Sequence, residues 1–245
     1  MSEFVASPQQ PAWPGALPPQ PPRAPEGLLK AVVALLGLVA LTDLFAVFAD
    51  LRVANTVGGD ENFSVVAAED LDAVDSLYGV AALIQVVAYL ACAVVFIIWF
   101  FRMRKYVGAL AQDAFERGAG WAIGSWFVPI GALWMPFRIA HQMWNAATRT
   151  LGSEPARYPS AWPVRLWWSL FVLSGLAGRF ASGYDIDAPL GDIRSAALRT
   201  AVSDGLDIVA AAAAVYFVIR LMALHRRPTP EFGHPTPVQP GYPAL

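Results

Sequence analysis

Charge and sulfur are both scarce in this chain. Only 15% of its 245 residues are Asp, Glu, Lys or Arg, against 56% hydrophobic, whereas an ordinary soluble domain is about a quarter charged. That leaves too little charge to clothe a water-facing surface. Lysine contributes just Lys30 and Lys105, and the formal net charge of −2 lacks the basic excess that a nucleic-acid partner requires. Cys92 is the only cysteine, which excludes an internal disulfide framework and a CxxC site. Lying inside an apolar run, it reads as a small buried side chain. Catalytic signatures are missing too: there is no Gly-rich phosphate loop, no HExxH and no G-x-S-x-G. His141, His225 and His234 are scattered, so no cofactor and no metal site is expected. A cleavable signal is not expected either, because a Pro-rich stretch precedes the first apolar run, which is long enough to remain as an anchor.

What the chain has in abundance is long apolar runs. Leu28–Ala49, Val80–Phe101, Trp162–Phe180 and Leu206–Leu224 are each close to the ~20 residues that cross a ~30 Å hydrocarbon core at ~1.5 Å per residue. The expected architecture is an all-α integral membrane bundle of four transmembrane helices over 28–227. Residues 1–27 and 228–245 read as Pro-rich disordered tails, since proline removes backbone donors and fixes φ.

Lys and Arg set the orientation. With four spans and both termini cytoplasmic, Arg52, Arg179, Arg194 and Arg199 lie outside and the other thirteen basic residues inside. The first loop is acidic, with Asp60, Glu61, Glu69, Asp70, Asp72 and Asp75. A fifth span at Trp121–Pro136 would leave nine basic residues inside against eight outside. It would also place Pro129 and Pro136 within a helix, where each breaks a hydrogen bond. This Trp- and Pro-rich segment is therefore read as re-entrant or interfacial on the cytoplasmic side of a plasma membrane. Trp121, Trp126, Trp134 and Trp144 fit the headgroup boundary that indole favours, and Gly120 and Gly124 have the spacing of a close helix contact. Beyond it, Arg138, His141, Gln142, Asn145, Thr148 and Arg149 share one helical face, and Phe137, Ala140, Met143, Trp144 and Ala147 the other. That pattern suits a helix lying in the interface plane or one packed under the bundle.

The run Trp99-Phe-Phe-Arg102-Met-Arg104-Lys105 is followed by Gly120-Trp121-Ala-Ile-Gly124-Ser-Trp126-Phe-Val-Pro129. Then come Leu133-Trp134-Met-Pro136-Phe-Arg138 and Gln142-Met-Trp144. This stretch resembles a bacterial, mainly actinobacterial, multi-pass membrane family called domain of unknown function 4328. The resemblance implies a helical membrane fold and a Pro-rich leader, and it carries no activity. Members usually have Asn after the basic cluster, where this chain has Tyr106.

Ionisable groups inside a span call for a functional hypothesis. Asp43 sits some six residues inside the outer end of the first span, about 9 Å deep by helical rise. Gln85 falls at a similar depth on the second span, and Arg179 and Asp207 lie near the outer ends of theirs. The four are expected to form an intramembrane polar cluster, either as glue between helices or as part of a solute path. His141 with Asp113 or Glu116 could form an acid–base pair. Three functions follow in order of preference. The first is a non-enzymatic scaffold or regulatory module at the inner face, with Arg102, Arg104, Lys105 and the Trp-rich segment gripping anionic lipid. Its tails or cytoplasmic segment would meet a protein partner. The second is a small oligomeric transporter or channel using the Asp43 cluster. The third is a membrane-embedded enzyme.

Overall fold

The computed structural model describes residues 23–58, 68–149, 159–181 and 190–226. The expected tails, apart from 23–27, lie outside this part. So do Asp60 and Glu61 of the acidic loop and the side chains of Glu69, Asp70, Asp72 and Asp75.

The described chain is all α. Helices α1 (Glu26–Gly58), α2 (Ala68–Leu110) and α6 (Leu190–His225) contain no proline. They run 33, 43 and 36 residues. At ~1.5 Å per residue each is longer than a ~30 Å hydrocarbon core is thick. These three are long and apolar enough to cross a membrane, and they contain the expected spans at 28–49, 80–101 and 206–224. The protein is accordingly membrane-embedded. Helix α5 (Trp162–Phe180) has the bounds expected of the remaining span, with Pro163 in its first turn, where a missing N–H costs nothing. Arg165 and Arg179 lower its hydropathy, and it is not among the three.

Between α2 and α5 the chain is irregular. No continuous helix joins 121 to 136: α3 (Trp121–Gly124) is one turn, a 3-10 turn covers Gly131–Leu133, and α4 (Met135–Arg149) follows. Pro129 lies in the turn between them and Pro136 in the first turn of α4. Indole donors reach two carbonyls between α2 and α5. The Trp168 indole donates to the Leu133 carbonyl at 3.1 Å, and the Trp144 indole to the Pro159 carbonyl at 3.1 Å.

Helix α6 lies between α1 and α5, and α2 packs on α1. The first turn of α1 and the end of α6 meet at one end of the bundle, where Glu26 pairs with Arg226 at 3.1 Å. Small residues allow close approach: Ala210, Ala211, Ala213 and Ala214 are all buried on α6. Below them an aromatic cluster fills the centre. Phe217 stacks on Trp167 at 4.5 Å and meets Trp99 edge-on at 6.3 Å. Phe96 contacts Trp99, Trp126 and Trp167. Lipid supplies little hydrophobic drive for helix association, so such packing carries the load.

Several sequence expectations change here. Trp99 and Trp144 are core residues rather than headgroup contacts, being 0% and 2% exposed. Trp126 is half-buried against Phe96, Phe100, Trp168 and Phe171. Of the tryptophans expected at the headgroup boundary, Trp121 and Trp134 are exposed. Gly120 and Gly124 make no close helix contact, since a Cβ on either would meet nothing within 4 Å. The apolar face of α4 is buried through Ile139, Ala140, Met143, Trp144 and Ala147, which places this helix against the bundle.

Phe217→Ala is expected to lower stability by ~3–5 kcal/mol, the range for deleting a buried aromatic. Phe127→Ala, at an exposed position, should stay within ~0.5 kcal/mol. Unfolding midpoints of the two variants in detergent check this.

Candidate functional site

Two polar assemblies stand apart in an otherwise apolar molecule. The first is built across α1, α2 and α6. Asp43 is fully buried on α1. Gln85 and Tyr89 are four residues apart on α2 and so share a face. The Gln85 amide donates to Asp43 Oδ1 at 2.8 Å, and the Tyr89 hydroxyl to Asp43 Oδ2 at 3.1 Å. Helix α6 adds Asp207, within electrostatic reach of Asp43 and Tyr89, and buried Asp204, close to Asp43, Asp50 and Asp207.

Of the four expected members, Asp43, Gln85 and Asp207 come together. Arg179 does not: it is exposed in the last turn of α5, and no hydrogen bond or ion pair joins it to the others among the described residues. Tyr89 and Asp204 were missed by the sequence reading. Their signals were helical spacing, one turn after Gln85 and one turn before Asp207. The carboxyl groups do not converge as ligands, and no group of His, Cys, Asp or Glu among the described residues is placed to hold a metal ion. From Tyr89 to Arg104 is about 22 Å along α2. The buried side chains between them are Cys92, Phe96, Trp99, Phe100 and Met103. No polar chain bridges that distance on the buried face of α2. The cluster can tie α1 to α2 and α6, and it can hold protons at one depth.

The second assembly is at the opposite end, beside the Glu26–Arg226 pair. Here α2 ends, and the 112–114 turn, α3 and α4 fold beneath it. Arg104, on the last turns of α2, is only 7% exposed. Its guanidinium lies 3.3 Å from the Phe115 ring centroid and donates to the Arg117 carbonyl at 2.8 Å. Arg117 itself stacks on Trp121 at 4.9 Å. Arg138 on α4 pairs with Glu116 at 3.3 Å, both side chains being more than half exposed. Arg104, Glu116, Arg117, Trp121 and Arg138, with Trp134 and Gln142, line a cavity of about 130 Å³.

Arg102 and Lys105 point outward, and Lys105 rests over Phe101 at 5.7 Å. The basic cluster thus divides into two surface cations and one inward-facing guanidinium, a distinction that spacing alone did not reveal. Tyr106 packs its ring 5.7 Å from that of His225. The expected acid–base pair is not formed: His141 Nδ1 is 3.1 Å from the Asn145 amide, while Glu116 is engaged by Arg138. Burial, and then the charge of Arg165, hold the His141 imidazole below its ordinary value of 6.5.

No curated protein and no solved structure matches this chain. A family model, described as a domain of unknown function, matches residues 63–223. That range takes in the whole arginine-lined cavity, and Gln85, Tyr89, Asp204 and Asp207, but not Asp43. With most of its length so matched, this chain belongs to the family described as domain of unknown function DUF4328.

Proposed function

We propose that this protein is a non-enzymatic scaffold or regulatory module of a plasma membrane, with its working surface at the inner face. The observation that carries the reading is where unusual chemistry concentrates: three arginines, exposed indoles and a cavity share one end of the bundle. In the opposite assembly both Asp43 oxygens are taken up by donors from α2. A four-span topology with both termini cytoplasmic accompanies this reading. It is supported by the arginine asymmetry, by the 19-residue length of α5 and by the meeting of Glu26 with Arg226. The 121–136 segment is taken as re-entrant or interfacial, which is supported by the exposure of Phe127, Ile130, Leu133 and Trp134. The Pro-rich tails would then present extended polypeptide to a protein partner on the same side, and homo-oligomers fit the small bundle.

Arg102 and Lys105 are the residues placed to meet anionic headgroups, at ~1 kcal/mol per basic residue near the surface. Replacing both with Gln should reduce the enrichment of anionic over zwitterionic lipid around the protein, roughly fivefold per residue. Lipid retained from mixed nanodiscs, quantified by native mass spectrometry, tests this, and an unchanged ratio removes lipid grip from the reading.

Asp43 and its partners favour a second reading, a small oligomeric transporter or channel, because intramembrane carboxyl groups mark ion and proton paths. Proton flux into proteoliposomes, compared between wild type and Asp43→Asn, separates the two. The scaffold reading expects equal leak in both, and a flux that the substitution abolishes would replace it.

A further inference from the structure

Charge does not balance in the cavity beneath α2. Three guanidinium groups, Arg104, Arg117 and Arg138, border it with one carboxylate, Glu116, which Arg138 already engages at 3.3 Å. Arg104 is the decisive member. It is buried, and it has no carboxylate partner among the described residues. A buried cation is costly unless it is paired. Its one protein hydrogen bond goes to the Arg117 carbonyl, and the face of the guanidinium is covered by Phe115. Trp121 covers Arg117 in the same way. Stacking occupies the faces of a guanidinium and leaves its in-plane N–H groups free, the geometry that grips oxyanions bidentately. A carboxylate has two oxygens and satisfies one such fork. A phosphodiester spreads two charged and two ester oxygens tetrahedrally, so it can be met from several elements at once, and the cavity of about 130 Å³ bordered by the three arginines has room for it.

The setting points to the rest of the ligand. Trp134 lines the cavity and is exposed, and Phe127, Ile130 and Leu133 just before it are exposed as well. Acyl chains can lie along that apolar strip while a headgroup enters between the arginines. Resting on the inner-face reading above, we propose that the Arg104–Arg117–Arg138 cavity is a binding site for the phosphate of a single anionic lipid. It is distinct from the diffuse attraction exerted by Arg102 and Lys105.

The test titrates the full-length protein in nonionic detergent with dioctanoyl phosphatidylglycerol, dioctanoyl phosphatidylcholine and inorganic phosphate, following binding by calorimetry. Phosphatidylglycerol should bind saturably and at least about tenfold more tightly than either of the others. Arg117→Gln and Arg138→Gln, both at exposed positions that folding tolerates, should each weaken it by about tenfold. Gly108→Ala keeps every charge, but its Cβ would fall 2.5 Å from Arg104 Nη1 and displace the guanidinium, so it should weaken binding similarly. Phosphatidylglycerol affinity unaffected by Arg117→Gln and Arg138→Gln overturns the site. Equal affinity for phosphatidylcholine overturns it also. Inorganic phosphate binding as tightly as the lipid overturns the lipid assignment and makes a soluble phosphate compound the ligand. Failure of the surface reading is separable: Arg102→Gln with Lys105→Gln would leave lipid enrichment unchanged while Arg138→Gln still removed saturable binding.

Discussion

Hydrocarbon offers no hydrogen bonds, and that constraint organises this molecule. Backbone polar groups at membrane depth must find partners within the protein. Helices α1, α2 and α6 meet the demand alone, because they are proline-free over 33 residues or more. The stretch from 121 to 136 forms no continuous helix: Pro129 lacks a donor, and helix stops and restarts around it. Short-range turns pair part of its backbone, and an indole from another element, Trp168, donates to the Leu133 carbonyl. The tryptophans are thus structural at two levels. Rings such as Trp99, Trp126 and Trp167 fill the centre of the bundle, and the N–H groups of Trp144 and Trp168 reach carbonyls outside the helices.

The same constraint explains the character of the two polar assemblies. Around Asp43 the partners are neutral donors from α2, one to each oxygen, so the group is held by hydrogen bonds rather than by a cation. Around Arg104 the compensation is aromatic and carbonyl, with Phe115 on one face and the Arg117 carbonyl at one edge. Apolar residues separate the two along α2, over roughly 22 Å. The molecule therefore divides into an end that binds its own helices together and an end whose donors face a cavity.

Much of the fold could be read from the residues. Apolar run length set the helices, and Trp162–Phe180 was placed with its observed bounds. The Asp43–Gln85 bond followed from equal depth on antiparallel helices. Other features resisted for physical reasons. Indole suits both a headgroup boundary and a core, so composition could not show that Trp99 and Trp144 are buried while Trp121 and Trp134 are exposed. An amphipathic helix looks the same lying on lipid or packed on protein, and only the contacts of α4 chose the second. Small-residue spacing at Gly120 and Gly124 had no helix to meet. Arg179 is exposed in the last turn of α5 and bonds to no member of the Asp43 cluster among the described residues.

By itself the sequence determined that the chain is helical and membrane-embedded, and it placed the three helices that are long and apolar enough to cross. Those are properties of run length and charge count, and each is local to a segment. Only the tertiary structure decided which arginine turns inward. Arg102 and Arg104 are two residues apart, yet one faces outward and the other lies over Phe115 in a cavity closed by α3 and α4. A helix rotates its side chains by about 100° per residue, and which direction becomes the interior depends on what packs against it from elsewhere in the chain.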